Sequence, residues 1–160
     1  MRGGTLPAAL IFAALGFALS FAPRRIRAPA LLIAAVTALA AKQVRFDVSH
    51  AEAIYFACWT SVIVAAASVH LPAGLSERAA VVLALACGAT AGAVIGLTGS
   101  VRDLASALPA ALVILPAGWL VASGRGIAVK VVSSWLIAIA MLAAALPLTP
   151  TPGYAPDHME

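Results

Sequence analysis

Charge is what this chain of 160 residues has least of: 10% of its positions are Asp, Glu, Lys or Arg, against 63% hydrophobic. Soluble domains run at about 25% charged and about 45–50% apolar. A chain this short cannot hide such an excess in a core, because small domains keep much of their surface wet. The mean hydropathy of +1.05 therefore argues against a soluble domain and places the surplus against lipid. Cysteine is nearly absent. Cys58 and Cys87 both fall in apolar stretches near mid-bilayer, and there is no C-x-x-C. They read as small packed hydrophobes, in possible contact but with no disulfide expected. Also missing are paired intramembrane carboxylates, a nucleophile beside a base, and a glycine-rich phosphate loop. Little remains from which to build an active site, so the chain is expected not to be an enzyme.

What is present is a series of apolar runs. Six segments, near 5–22, 27–44, 50–70, 77–98, 103–123 and 127–148, are long enough or nearly so to cross about 30 Å of hydrocarbon at about 1.5 Å per residue. The fold class expected is an all-α integral membrane protein, a compact bundle of six transmembrane helices with short loops and the fourth helix at its centre. Residues 1–148 form its single transmembrane domain, and the proline-rich tail 149–160 is expected to be loosely ordered. The second segment is the weakest, with only the run Ala28 to Ala41 uninterrupted between Arg27 and Lys42. It spans if those side chains snorkel or the bilayer thins; a re-entrant or interfacial helix is the alternative. The first segment has the outline of a signal peptide, but Pro23 directly follows the small-residue site, which disfavours cleavage and makes a retained helix the reading.

Several polar residues are explained by helix ends. Ser49 with Glu52 fits a capping box, and Ser100 with Asp103 a shorter-armed variant. Ser76 with Glu77 opens the fourth helix, while Pro7 and Pro29 are placed in first turns. Asp47, His50 and Glu52 suggest a metal site at first sight. The capping box accounts for two of them, Asp47 can pair with Arg45, and His70 lies over about 25 Å away by helix rise, so no metal is expected.

Loops one, three and five carry Arg24, Arg25, Arg27, Arg78, Arg125 and the nearby Lys130, six cations; the opposite side carries Arg2, Lys42, Arg45 and Arg102, four. This bias places the odd loops in the cytoplasm and both termini on the non-cytoplasmic side. The basic balance is thus a topology signal, and nucleic acid is not an expected partner. The cytoplasmic basic patch Arg24, Arg25 and Arg27 has a second reading, as a dock for anionic lipid or a partner. Arg outnumbers Lys by eight to two and Ala is abundant, which suits a GC-rich bacterial genome and a bacterial-type inner membrane.

Two constellations stand out. Ala84, Gly88, Gly92 and Gly96 form a small-residue ladder on one face of the fourth helix. Another backbone can approach there, within the bundle or from another subunit, and a glycine-lined solute path is the third reading. In the fifth helix Pro116 removes a hydrogen bond to residue 112 and predicts a kink. Reflection through the turn at Arg125 sets Pro116 level with Ser134, beside Ser133 and Trp135, with Lys130 one turn nearer the cytoplasm. These five residues are either a structural kink with a snorkelling lysine or a polar binding or gating site.

The function expected is that of a small non-catalytic polytopic subunit that packs within a larger inner-membrane complex and supports its assembly or transport activity. An autonomous transporter or channel for small solutes or ions, acting as a homo-oligomer, is the alternative. The expected partners are the lipid bilayer and other membrane subunits or further copies of the chain. No cofactor can be assigned.

Overall fold

The computed structural model describes residues 5–44 and 46–148, without the side chains of Val48 and Thr98. The tail 149–160, Arg2 and Arg45 lie outside the described residues. The described chain is all-α: α1 (Thr5–Ser20), α2 (Arg24–Lys42), α3 (Ala51–Ser68), α4 (Glu77–Thr98), α5 (Val101–Ala122) and α6 (Gly126–Ala145). Four of them, α3 to α6, are long and apolar enough to cross a membrane. α1 is apolar but has 16 residues, and α2 has 19, with cations in its first turn and at its last residue.

The helices alternate in direction. Arg25 near the start of α2 pairs with Glu77 at the start of α4, and Gly88, Gly92 and Gly96 then follow Ala34, Ala38 and Lys42 upward. α2 and α4 are therefore parallel neighbours. Thr5 opens α1 and donates to Asp103 in the first turn of α5 (3.1 Å), so those two also run together. α3 and α6 are antiparallel, tied near one end by Tyr55 Oη donating to the Ala143 carbonyl (2.6 Å) and near the other by Ser134 and His70. α2 starts at Arg24, three residues before the expected segment, and stays helical to Lys42, about 28 Å at the usual rise. It runs end to end beside α4 and does not double back. The earlier start also moves Pro29 out of the first turn and into the helix interior.

The centre belongs to α1, not α4. Nine of the sixteen residues of α1 are buried, among them Ile11, Phe12, Leu15 and Leu19, and α3, α4, α5 and α6 all pack against it. A helix that is apolar on every side can be surrounded by protein or by lipid, and α1 takes protein neighbours on most of its circumference. The glycine ladder of α4 marks something else: one close neighbour. A methyl group on Gly88 would lie 3.0 Å from Ala34 Cα, and one on Gly92 would lie 2.8 Å from Ala41 Cβ. The carbonyl oxygens of Ala34 and Ala38 would be closer still. The groove is filled by α2 of the same chain, with Ala84, Ala34 and Ala38 fully buried along the seam. Gly96, at the end, has ordinary clearance of 3.4 Å to the Lys42 carbonyl.

α5 is not one continuous α-helix. Val101–Ala107 leads into a 3-10 stretch, Leu108–Val113, before α geometry resumes at Ile114–Ala122. Pro109 and Pro116 each withdraw a backbone donor, and the tighter 3-10 turns occupy the interval between them. The distortion expected at Pro116 is thus spread over the preceding two turns. Here α5 meets α1, where a methyl on Gly16 would stand 2.8 Å from both the Ala111 carbonyl oxygen and Val113 Cγ1.

Ser76 accepts from the Ala79 N–H (3.3 Å) at the start of α4, and Ser100 donates its N–H to Asp103 Oδ2 (2.6 Å) at the start of α5. The capping box expected of Ser49 and Glu52 is not formed. His50 holds the N-cap position, and Ser49 sits in a 3-10 turn (Val48–His50) where its N–H donates to Asp47 Oδ1 (2.9 Å). That hydrogen bond, followed by one from the Ser49 side chain, holds the Asp47 carboxyl below its ordinary pKa. An aspartate two residues ahead of the serine captures it before the helix begins.

Gly92→Leu is expected to force α2 away from α4 and destabilise the fold by at least about 1–3 kcal/mol, whereas Gly96→Ala should be near neutral. Thermal unfolding of both variants in detergent checks this; equal midpoints would show that the seam is not tightly packed.

Candidate functional site

Because the helices alternate, the loops joining α1 to α2, α3 to α4 and α5 to α6 meet at one end of the bundle. Arg24, Arg25, Arg27, Arg78, Arg125 and Lys130 gather there with Glu77 as the carboxylate among the described residues. The other end carries Lys42 and Arg102 with Asp47, Glu52 and Asp103. Among the described residues this is six cations to one anion at one end, against two to three at the other, where Arg2 and Arg45 of the sequence also belong.

The three arginines of the basic patch have separate tasks. Arg25 pairs with Glu77, and at 81% and 37% side-chain exposure this surface ion pair contributes little energy. Arg27 reaches back over the loop: its Nε donates to the Ala22 carbonyl (3.0 Å) and its Nη2 to the Ser20 carbonyl (2.7 Å). The last carbonyls of a helix have no partner within it, and a cation there also opposes the negative end of the helix dipole. One guanidinium thus closes α1, the helix with least access to water. Arg24 is exposed and bonds to none of the described residues.

The remaining donor edge of Arg27 faces α5. Gly118 leaves room for it, since a methyl there would lie 3.0 Å from Arg27 Nη1. Arg24, Arg27, Leu31, Ile114, Gly118 and Trp119 help to line an open groove of about 380 Å³ between the first half of α2 and the last turns of α5. The basic patch Arg24, Arg25 and Arg27 marked this end of α2, but nothing in α2 alone announced the second wall that makes it a groove. Gly118 followed by Trp119 was the signal available in α5.

The five residues expected to cluster around Pro116 do not come together. Pro116 and Trp135 are exposed on the outside of the bundle, Trp135 at 71%, while Ser133 points inward and is fully buried. Ser134 donates to the Lys130 carbonyl (3.0 Å) and lies 3.3 Å from His70 Nε2. It does not reach the carbonyl freed by Pro116, because successive residues of α6 diverge by about 100° around the helix. Lys130 turns to Phe21, with Nζ 6.0 Å from the ring centroid, in a second shallow groove with Val121, Gly124, Gly126 and Ile127. Ser134 and His70 thus form an exposed polar contact between α6 and the end of α3, while the half-buried Lys130 turns its amine away to Phe21.

At the opposite end Asp103 serves two helices. Its Oδ1 accepts from Thr5 and its Oδ2 from the Ser100 N–H and hydroxyl (2.6 and 3.0 Å). A carboxylate beside two helix N-termini is favourable to both dipoles. Among the described residues no three His, Cys, Asp or Glu side chains come together to hold a metal. Cys58 and Cys87 are free thiols, both buried.

The architecture is that of an all-α bundle whose apolar helices are compatible with a multi-pass membrane protein. No family matches the chain, and no curated protein or solved structure is similar to it.

Arg27→Ala should lower stability by about 1–3 kcal/mol, through two lost charge-assisted hydrogen bonds, with Arg27→Lys recovering part of it. The thermal midpoint in detergent reads this, and an unchanged midpoint for Arg27→Ala would remove its role in closing α1.

Proposed function

We propose that this chain is a small non-catalytic subunit of a bacterial-type inner-membrane complex, crossing the bilayer six times and supporting the assembly or transport activity of its partners. The observation that carries this reading is the composition of the interior. Among the described residues the buried polar side chains are Ser20 and Ser133 alone, and Ala, Gly, Leu, Ile, Val and Phe with Cys58, Cys87 and Trp59 fill the rest. Apart from Ser20, Ser133 and the Trp59 indole N–H, a hydrated solute moving between these helices would meet an apolar lining. The ionisable groups sit at the two ends, as caps, ion pairs and snorkelling cations. α6 supports the same reading: only 11% of its span is covered, compared with 56% for α4. Ile127, Val131, Trp135, Ile139 and Leu142 stand exposed along it, a surface suited to another membrane helix as well as to lipid.

The odd loops face the cytoplasm in this reading, following the six-to-four cation count of the two sides in the sequence. Ser123→Cys in a Cys58→Ala, Cys87→Ala background should react with a membrane-impermeant maleimide only in inverted vesicles. Labelling of intact cells would reverse the orientation.

Native mass spectrometry of the chain extracted gently from its own membrane is the test of the subunit reading. A defined mass containing other polypeptides is the expected result. A homo-oligomer without partners would sink it in favour of an autonomous transporter or channel, for which the exposed Ser134–His70 contact is the specific structural support. Under that alternative Lys130→Ala and Ser134→Ala abolish liposome flux.

A further inference from the structure

The groove between α2 and α5 has the chemistry of two zones. At the end where the loops gather it is bounded by Arg24 and Arg27, with no carboxylate among its lining residues. Leu31 lies seven residues along α2 and Ile114 eight residues back from Ala122 along α5, so apolar walls continue for roughly 10–12 Å toward the bilayer middle. Trp119, 61% exposed, stands on the rim beside Gly118, where an indole belongs at a membrane–water interface.

Two cations facing one cleft repel each other unless something negative lies between them. The carboxylate at this end among the described residues, Glu77, is engaged by Arg25 outside the groove. Arg27 is held in place by its two bonds to the end of α1, which leaves Nη1 beside Gly118 without a hydrogen-bond partner among the described residues. Arg24, exposed and one turn away on the same helix, adds a second donor set. A fixed guanidinium edge with an unengaged one beside it suits a phosphodiester, and Leu31, Ile114 and Leu115 suit an acyl chain below it.

We propose that this groove is a binding site for an anionic glycerophospholipid, with its phosphate between Arg24 and Arg27 and one acyl chain along Leu31, Ile114 and Leu115. The inference rests on the membrane reading given above. Bound there, the lipid covers the open flank between α2 and α5, which no described segment fills, and neutralises the Arg24–Arg27 repulsion next to the α1 terminus.

The test uses the full chain in phosphatidylcholine vesicles with and without phosphatidylglycerol, followed by native mass spectrometry of retained lipid. Wild type should retain phosphatidylglycerol selectively. Arg24→Gln should reduce that retention about fivefold, the worth of one arginine at an anionic surface. Leu115→Trp, a change at a 68% exposed position that fills the groove without touching the core, should reduce it as well. Arg125→Gln, at the same end but outside the groove, should not. Equal retention by Arg24→Gln and wild type overturns the site, as does an equal loss on Arg125→Gln, which would mean a diffuse surface field. Displacement of the lipid by inorganic phosphate alone would also overturn it, since the acyl contacts would then count for nothing. If the chain fails to float with vesicles of either composition, the membrane reading itself falls and this site with it. Floating without lipid preference overturns the site alone.

Discussion

Enclosing α1 is the constraint from which the rest of the bundle follows. Its side chains are apolar around the whole circumference, so no face can be left to water, and α3, α4, α5 and α6 are drawn against it. A helix in that position has a second problem at its ends, where backbone groups lose their partners away from bulk solvent. The chain solves this with two charged side chains from elsewhere. Arg27 from α2 takes the carbonyls of Ser20 and Ala22, and Asp103 from α5 takes the hydroxyl of Thr5. Each charge matches the sign that the helix dipole favours at its end.

Around this centre the outer helices are attached by different means. α2 is joined to α4 through a seam of Gly88, Gly92, Ala34 and Ala38, in which backbones approach closely enough for dispersion to act where lipid offers no hydrophobic difference. α6 is joined to α3 more loosely, by Tyr55 to the Ala143 carbonyl and by Ser134 with His70. The gap between α2 and α5 is left open, bounded by arginines at one end. Tight seam, loose flank and open groove give the bundle three kinds of outer surface, and only the last two are free to engage lipid or protein.

Much of this was legible in the residues. Six apolar runs became six helices, with α4 matching its expected range of 77–98, since a backbone in an apolar solvent must satisfy its own hydrogen bonds. The glycine ladder correctly marked a place of close approach. Its neighbour was not legible, because Ala34 and Ala38 look like any alanines until the register of α2 on α4 is known. The cluster around Pro116 failed for a related reason. Reflection through a turn gives height along two helices but not rotation about them, and rotation sent Ser133 inward and Trp135 outward.

The amino-acid sequence by itself determined that the chain is helical and apolar, where its helices start and stop to within a few residues, and that its cations favour one side by six to four. These are properties of local spacing and of solvent transfer, which each segment carries alone. Only the tertiary structure decided that α1 is the centre, that α2 fills the groove of α4, and that Arg27 closes a helix to which it does not belong. Those depend on which faces meet, and faces meet through the collective packing of all the helices at once.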